Sequence, residues 1–228
     1  MDKTVRTRHK AKRGPQARGL ARRLKLEAAA ETLLERGDID QISLADVAKE
    51  AGIPVASAYS FYSNISDLFA ALQITHTEWM FDEVERAIKP EAAQAWSEII
   101  EQIIDGFTRC LRDSRVLQQL RLSHKVLPEV RYAEGRPRGV DFAERVHTMI
   151  DQGFELPEIE GGLKPFVVML DIAEAVLVSE FIRSNELPKG TALEAKRATI
   201  AYLNLYIPAI LPRRRTSEDT GAQDVVPK

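Results

Sequence analysis

The sequence predicts an all-α fold: an N-terminal three-helix domain with a helix-turn-helix, followed by a larger C-terminal helical domain. Three observations predict this class. Apolar residues recur at every third or fourth position in most long segments, as they do on one face of a helix. No segment shows the regular alternation of a half-buried strand. Glycine or proline stands at the ends of most periodic segments, where helices stop.

The first two helices are predicted by their ends as well as by their apolar faces. Apolar residues at helical spacing between Leu26 and Leu33, followed by Gly37, predict the first helix. Ser43 begins the second helix. Asp46, three residues later, is placed to complete a capping box with it.

A glycine turn leads into the third helix. Gly52 suits the left-handed backbone of a tight turn, and Ile53 follows as an apolar plug between the helices. Pro54 suits the first turn of the next helix, predicted over residues 55–62. Two short helices joined in this way are typical of a DNA-binding helix-turn-helix, whose second helix enters the major groove. A plain helical hairpin is the alternative.

The run from Ser43 to Ile53, then Ser57-Ala58-Tyr59, Tyr62 and the segment 64–68, resembles the DNA-binding head of the TetR-type transcriptional regulators. The detailed resemblance covers about residues 23–72. It implies that the first three helices bind operator DNA and that the remaining helices bind an effector and form a dimer. It also implies repression of nearby genes, released by the effector. A DNA-binding regulator without a small-molecule effector is the alternative.

The resemblance suggests a division of the chain into four segments. Residues 1–19 are a basic arm, predicted to be disordered, and residues 20–66 are the helix-turn-helix domain. Residues 67–212 are the effector-binding and dimerisation domain. Residues 213–228 are a tail that is also predicted to be disordered.

The chain departs from the family pattern at several positions of the DNA-binding head. Where this chain has Pro54, the family often has Ser or Thr. The family often has His in place of Phe61 and Phe in place of Tyr62, and it commonly has Lys in place of Ile65. These differences remove polar contacts, so we expect affinity for DNA to come from other groups.

Charge is distributed unevenly along the chain. Ten basic residues and one acidic residue, Asp2, lie within residues 1–25, a charge of +9. Since the formal net charge of the chain is −2, the other residues sum to −11. A basic arm on an acidic body concentrates attraction for DNA at one end. We expect the arm to reach an adjacent minor groove; the alternative is a solvated tail that aids solubility.

The predicted recognition helix has no Arg, Lys, Asn or Gln, so it lacks the strong bidentate pairings to guanine and adenine. We expect its Ser and Tyr side chains to hydrogen-bond to bases or phosphates, and its Val and Ala to touch thymine methyl groups. Basic residues before it would neutralise phosphates. The candidate DNA-binding residues are Arg13, Arg18, Arg22, Arg23, Ser43, Val55, Ala56, Ser57, Tyr59, Ser60 and Phe61.

Helical spacing continues through the rest of the chain. Asn64 is expected to cap a fourth helix that runs to about residue 88. Residues 92–113, 116–128 and 142–153 predict further amphipathic helices.

Two final helices are predicted over residues 166–184 and 193–211. The first is apolar on nearly all sides, and such a helix must be covered all round. Another subunit is the expected cover, so we predict a homodimer built on these two helices.

An apolar small-molecule effector is expected to bind among the amphipathic helices. The candidate effector-binding residues are Trp96, Phe107, Phe142, Met149 and Met169; the alternative is that they simply fill the core. Asp171 and Glu174 lie within an apolar helix. We expect such acids to pair with a basic group or face solvent, or one of them to orient a polar or cationic effector.

The sequence does not contain the motifs of several other classes of protein. There is no phosphate-binding glycine loop and no GxSxG elbow. Glu144 and His147 form a single pair where a carboxylate-bridged metal bundle needs two. One cysteine, Cys110, excludes an internal disulfide framework. We predict no enzyme activity, no cofactor and no metal site, with a helical-bundle enzyme or carrier as the alternative from another class.

No apolar run is long enough to cross a membrane, and the N-terminus lacks the apolar segment of a secretion signal. The cytoplasm is therefore the expected location, and no membrane partner is expected.

Overall fold

The computed structural model describes residues 15–131 and 135–214. The chain divides into two compact units, an N-terminal unit that ends at Leu68 and a C-terminal unit that begins at Phe69. The described residues form α-helices and short 3-10 or π turns, with one isolated bridge between Phe154 and Arg213 and no β-strand. Among these residues, no helix combines the length and the apolarity that a membrane crossing requires.

The N-terminal unit contains three helices and the start of a fourth. These are α1 (Pro15–Arg36), α2 (Leu44–Glu50), α3 (Val55–Ala58) and the first turn of α4 (Ile65–Ala87). A 3-10 turn at Ile39–Gln41 joins α1 to α2. The apolar faces of these helices meet in a small core, whose fully buried members are Leu26, Ala30, Leu34, Val47, Ala48, Ala58 and Leu68.

Helix α1 begins earlier than predicted. Residues 15–19 were assigned to a disordered arm but form the first turn of α1, which corrects that boundary. Pro15 is compatible with a helix start, because the first backbone N–H groups of a helix have no intrahelical partner. Arg13 and the rest of the predicted arm lie outside the described residues.

Helix α3 is shorter than the predicted span of residues 55–62. Regular α-helix ends at Ala58, and Tyr59 is its C-cap. The next residues close tighter turns, with Ser60 N bonded to Ser57 O at 3.2 Å and Phe61 N to Ala58 O at 3.0 Å. The Ser60 hydroxyl also donates to Ser57 O at 2.6 Å. Serine hydroxyls compete in this way for backbone groups that would continue a helix.

Helix α4 has the predicted N-terminal cap. Asn64 Oδ1 accepts a hydrogen bond from Asp67 N at 2.9 Å, and Asp67 Oδ2 accepts one from Ser63 N at 3.1 Å. These two bonds satisfy backbone N–H groups at the start of the helix. The helix starts in the N-terminal unit and continues into the C-terminal unit.

The C-terminal unit is built on long helices. Together with α4 these are α5 (Trp96–Asp113), α8 (Gly135–Gly153), α9 (Lys164–Ser184) and α10 (Lys189–Leu203). Helix α9 packs against both α8 and α10, and α10 also packs against α5. One apolar cluster fills the space between these helices.

The predicted helix over residues 116–128 is interrupted. Helix α6 (Arg115–Leu117) passes directly into a π turn at Gln118–Leu122, and α7 (Pro128–Arg131) follows after a break. Helix α7 ends at Arg131, and α8 begins at Gly135, seven residues before the predicted position at 142.

The last helix ends eight residues before the predicted position at 211. After Leu203 the chain forms turns, and Trp96 Nε1 donates to Pro208 O at 2.8 Å. Arg213 Nη2 then donates to Glu91 O at 2.6 Å. Arg213 and Arg214 therefore belong to the described fold and not to the predicted tail; residues 215–228 lie outside the described residues.

Candidate nucleic-acid interface and ligand cavity

The capping box at the start of α2 forms as predicted. Ser43 Oγ accepts from Asp46 N at 3.2 Å, and Asp46 Oδ2 accepts from Ser43 N at 3.0 Å. The Ser43 hydroxyl also donates to Asp46 Oδ2, and these hydrogen bonds from Ser43 lower the pKa of the Asp46 carboxyl. Ser43, a candidate DNA contact, is exposed, but its hydroxyl is part of this cap.

The turn between α2 and α3 is a Schellman motif. Ile53 N bonds to Ala48 O at 2.9 Å, and Gly52 N bonds to Lys49 O at 3.1 Å. Gly52 has φ +64, which a residue with a Cβ adopts only under strain. Ile53 is buried. These local bonds fix the direction in which α3 leaves α2.

Helix α3 is anchored by one side and exposed on the other. Ala58 is fully buried, whereas Val55 is 42% exposed and Tyr59 is 54% exposed. Ala56 and Ser60 are also exposed, and Ser57 and Phe61 are half-buried. The structure therefore brings the predicted base-contacting residues together on a single short surface, although the Ser60 hydroxyl is engaged with Ser57 O.

A buried tyrosine joins α1 to the segment after α3. Tyr62 is 6% exposed, and its hydroxyl donates to Glu27 Oε1 at 2.6 Å. Arg23 Nε donates to the same Glu27 oxygen at 2.9 Å and to the Tyr62 hydroxyl at 3.2 Å. Burial, together with the bond to Glu27, raises the pKa of Tyr62 to about 12.

This cluster gives Arg23 partners within the protein. The guanidinium, predicted to contact phosphate, lies 5.8 Å from the centre of the Tyr62 ring and is paired with Glu27, and its side chain is 52% exposed. Sequence reasoning missed the cluster. The available signal was the coincidence of Glu27 four residues after Arg23 with a tyrosine where the family often has Phe.

Basic side chains elsewhere on α1 form an exposed stripe. Arg18, Arg22 and Lys25 are all exposed, and their spacing of four and three residues places them on one face of the helix. A helix holds these charges in fixed positions, which a flexible arm does not. Arg18 and Arg22 are thus candidate phosphate contacts on a rigid element.

The C-terminal unit contains a cavity of about 1050 Å³. This is the upper end of the size range of small-molecule sites. Its apolar walls come from α4, α5, α8 and α9 and from the loop before α9. The apolar lining residues are Met80, Phe81, Phe107, Leu111, Leu122, Val140, Leu163, Val167, Val168, Leu170, Ala173 and Leu177.

Only one of the five predicted effector-binding residues lines this cavity. Phe107 is part of the wall. Trp96, Phe142, Met149 and Met169 are buried and pack within the apolar cluster. Phe142 stacks on the wall residue Phe81, with ring centroids 4.1 Å apart. These four residues fill the core, the alternative that the sequence left open.

The charged lining residues of the cavity are Arg121, Lys164, Asp171 and Glu174. Arg121 Nη2 lies 3.2 Å from Glu174 Oε2, and Arg121 Nη1 donates to Thr77 Oγ1 at 2.6 Å. Glu174 therefore has the basic partner expected for an acid in an apolar helix. Burial, followed by the nearby Glu174 charge, raises the pKa of Asp171.

His147 and Cys110 pack against other side chains of the C-terminal unit. The His147 ring lies edge-on to Phe166, with centroids 5.5 Å apart. Cys110 is buried, and that burial raises the pKa of its thiol, which disfavours the reactive thiolate. Within the described ranges, no group of three or more His, Cys, Asp or Glu side chains is arranged to hold a metal ion.

The capped helix α2, the Schellman turn and the short exposed helix α3 define a helix-turn-helix DNA-binding domain. Residues 26–72 match the family model described as bacterial regulatory proteins, tetR family. This segment of the chain is therefore similar to the DNA-binding domain of the TetR-type family of transcription regulators.

Solved structures have the same fold over most of the chain. A TetR-family transcriptional regulator from Streptomyces coelicolor is 17% identical with a TM-score of 0.61, covering 81% of this chain and 99% of that one. A TetR transcriptional regulator from Rhodococcus sp. RHA1 is 16% identical with a TM-score of 0.62, covering 82% and 97%. A fatty acid degradation regulator from Bacillus halodurans is 14% identical with a TM-score of 0.53, covering 84% and 96%. No curated protein sequence matches the chain significantly.

Proposed function

We propose that the protein is a dimeric, cytoplasmic repressor that leaves its operator when a small molecule occupies the cavity of the C-terminal unit. The observation that carries the proposal is the exposed surface of α3, with Val55 and Tyr59 facing solvent beside a rigid Schellman turn. An apolar side chain and a tyrosine exposed on a helix of this kind are suited to contact base edges and methyl groups.

The outer surfaces of α9 and α10 support a dimer. Helix α9 buries a stripe that includes Phe166 and Leu177 within its own unit. Ile172 and Val176 lie beside this stripe and are only partly covered, and Ile182 is 51% exposed. On and after α10, the exposed apolar residues are Leu193, Leu205 and Ile210. A second copy of the chain would cover such a surface.

Val176→Glu tests the dimer more cleanly than a substitution at Ile207, because Ile207 is 1% exposed and belongs to the core of its own subunit. We expect Val176→Glu to produce monomers, since it places an unpaired charge in an apolar interface. Leu127→Glu is the matched control, at an apolar residue that is exposed outside α9 and α10. Light scattering at micromolar concentration measures both. A monomeric wild-type protein would contradict the dimer.

The cavity supports the ligand-dependent part of the proposal. A ligand releases DNA only if it binds more tightly to a conformation whose DNA-binding surfaces no longer fit the operator. The cavity combines apolar walls with a few charged groups, which is the usual composition of a small-molecule site.

The direct test is an operator selected from random duplex DNA with the full-length protein, followed by a gel shift. We expect one roughly palindromic sequence to be enriched, with half-sites on one face of the duplex. A ligand that binds the protein should then lower the bound fraction. Failure to enrich any sequence would overturn the proposed function.

A further inference from the structure

The charged groups of the cavity wall are unevenly placed, with Lys164 in the first turn of α9 and two carboxylates further along the helix. Asp171 and Glu174 lie three residues apart on this helix and both line the cavity. Arg121 is the basic group at this position, and it is paired with Glu174 at 3.2 Å. Among the described side chains, two carboxylates and one guanidinium leave one negative charge at this position. The other charged lining residue among them is Lys164, which stands seven residues before Asp171, roughly 10 Å along the helix axis.

Asp171 is the carboxylate without a cation of its own. Among the described residues it makes no hydrogen bond or ion pair, and it is exposed at the cavity wall. Its free energy as an anion is raised by partial burial and by the Glu174 charge. A cation placed beside it would relieve both effects, because it replaces lost solvation and opposes the repulsion.

The apolar walls suit the rest of such a ligand. Phe81 and Phe107 both line the cavity, with ring centroids 5.8 Å apart and planes tilted by 54°. The negative faces of aromatic rings attract cations and pack well against alkyl groups. An anion placed beside Arg121 would meet the opposite situation, since it must displace Glu174 from Arg121 and then lie near Asp171.

We propose that the cavity binds an apolar organic cation, with its charged group against Asp171 and Glu174 and its apolar part against Phe81 and Phe107. This inference rests on the proposed ligand-dependent function and adds the chemical class of the ligand. The proposed binding mode also links the ligand to α4 through Arg121. A cation that shares Glu174 withdraws an acceptor from Arg121, whose other terminal nitrogen holds Thr77 of α4 at 2.6 Å.

The test compares two probes of equal chain length and opposite charge, decylammonium and decanoate, both below their micelle concentrations. Isothermal titration calorimetry with the full-length protein measures their affinities. We expect decylammonium to bind the wild-type protein and decanoate to bind at least tenfold more weakly. Asp171→Asn should weaken decylammonium by about tenfold, the loss of one charge-assisted hydrogen bond. Glu101→Gln is the control, because it removes one negative charge from an exposed position on α5 that does not line the cavity.

The outcomes separate this inference from the proposed function. If decanoate binds more tightly than decylammonium, the proposed cationic class of ligand is wrong. That result does not contradict the proposed ligand-responsive regulator. Equal affinity of wild type and Asp171→Asn for decylammonium would also overturn the cationic class, and so would a lack of binding by decylammonium. DNA binding is measured separately by gel shift, so failure of the DNA-binding function is seen whatever the probes do. A circular dichroism melt of Asp171→Asn confirms that the variant is folded.

Discussion

Tyr62 and Glu27, 35 residues apart in sequence, are joined by a 2.6 Å hydrogen bond from the tyrosine hydroxyl to the carboxylate. The bond ties the segment that follows α3 to α1. Because Arg23 bonds to both partners, three side chains fix the position of α3 relative to the first helix. Ala58 of α3 and Leu26 of α1 are both fully buried in the N-terminal unit.

Tyr62→Phe should lower the free energy of unfolding by about 1 kcal/mol, the typical net contribution of a buried hydrogen bond. The variant should still fold, because the ring remains and the family often has Phe at this position. Tyr59→Phe is the matched control, since Tyr59 is exposed on α3. Urea denaturation of both variants measures the effect. An equal loss in the two variants would contradict a structural role for the Tyr62 hydroxyl.

The stability of the protein should decrease at high pH partly through Tyr62. Its pKa is about 12 in the folded protein, against an ordinary tyrosine pKa of about 10. Since the folded pKa is the higher one, the contribution to stability is complete below pH 10 and is lost as pH rises from about 10 to about 12. The difference in unfolding free energy between wild type and Tyr62→Phe, measured across this window, should shrink with pH. A difference that stays constant would be inconsistent with the raised pKa.

Gly52→Ala should destabilise the protein by about 1 kcal/mol, because alanine is strained at a positive φ. A Cβ at this position meets no atom within 4 Å, so the cost comes from the backbone alone. Gly190→Ala provides the comparison: it also meets no atom within 4 Å, but it lies in α10 without a positive φ. That variant should be neutral or more stable. Equal effects in a thermal melt would contradict the left-handed turn.

Local signals predicted the helix-turn-helix well because its turns are stabilised by neighbouring residues. The capping box at Ser43, the left-handed Gly52 and the cap at Asn64 each depend on groups within five residues. The start of α1 is not predicted, because the polar and basic composition of residues 1–19 indicates a disordered arm, whereas proline is favourable in the first turn of a helix.

The cavity could not be predicted in the same way. Whether an aromatic residue lines a cavity or fills a core depends on which side chains meet it from other helices. Phe107 and Phe142 have similar sequence contexts, yet the first lines the cavity and the second lies behind Phe81. The π turn at Gln118–Leu122, which carries Arg121 to the cavity, also has no sequence signal that we recognised.

The basic stripe on α1 should contribute to the salt dependence of DNA binding. Each phosphate contact adds about 0.9 to the slope of log K against log salt. The double variant Arg18→Ala and Arg22→Ala should therefore flatten the slope and weaken specific and non-specific binding together. The control removes the same charge from the C-terminal unit through Arg86→Ala and Arg109→Ala, two exposed arginines on α4 and α5. Equal slopes for the two double variants would mean that the α1 stripe does not contact phosphate. Deletion of residues 1–14 measures the contribution of the predicted arm separately.

The most direct test of the account is the operator affinity of Ser57→Ala and Tyr59→Ala, measured by fluorescence anisotropy beside a scrambled duplex of equal length. If α3 reads bases, each variant should lose ~1–3 kcal/mol of binding free energy on the operator and almost none on the scrambled duplex. Their melting temperatures should stay close to that of the wild type, because Tyr59 is exposed and Ser57 is only half-buried. Unchanged operator affinity in both variants would contradict the assignment of α3 as the recognition helix.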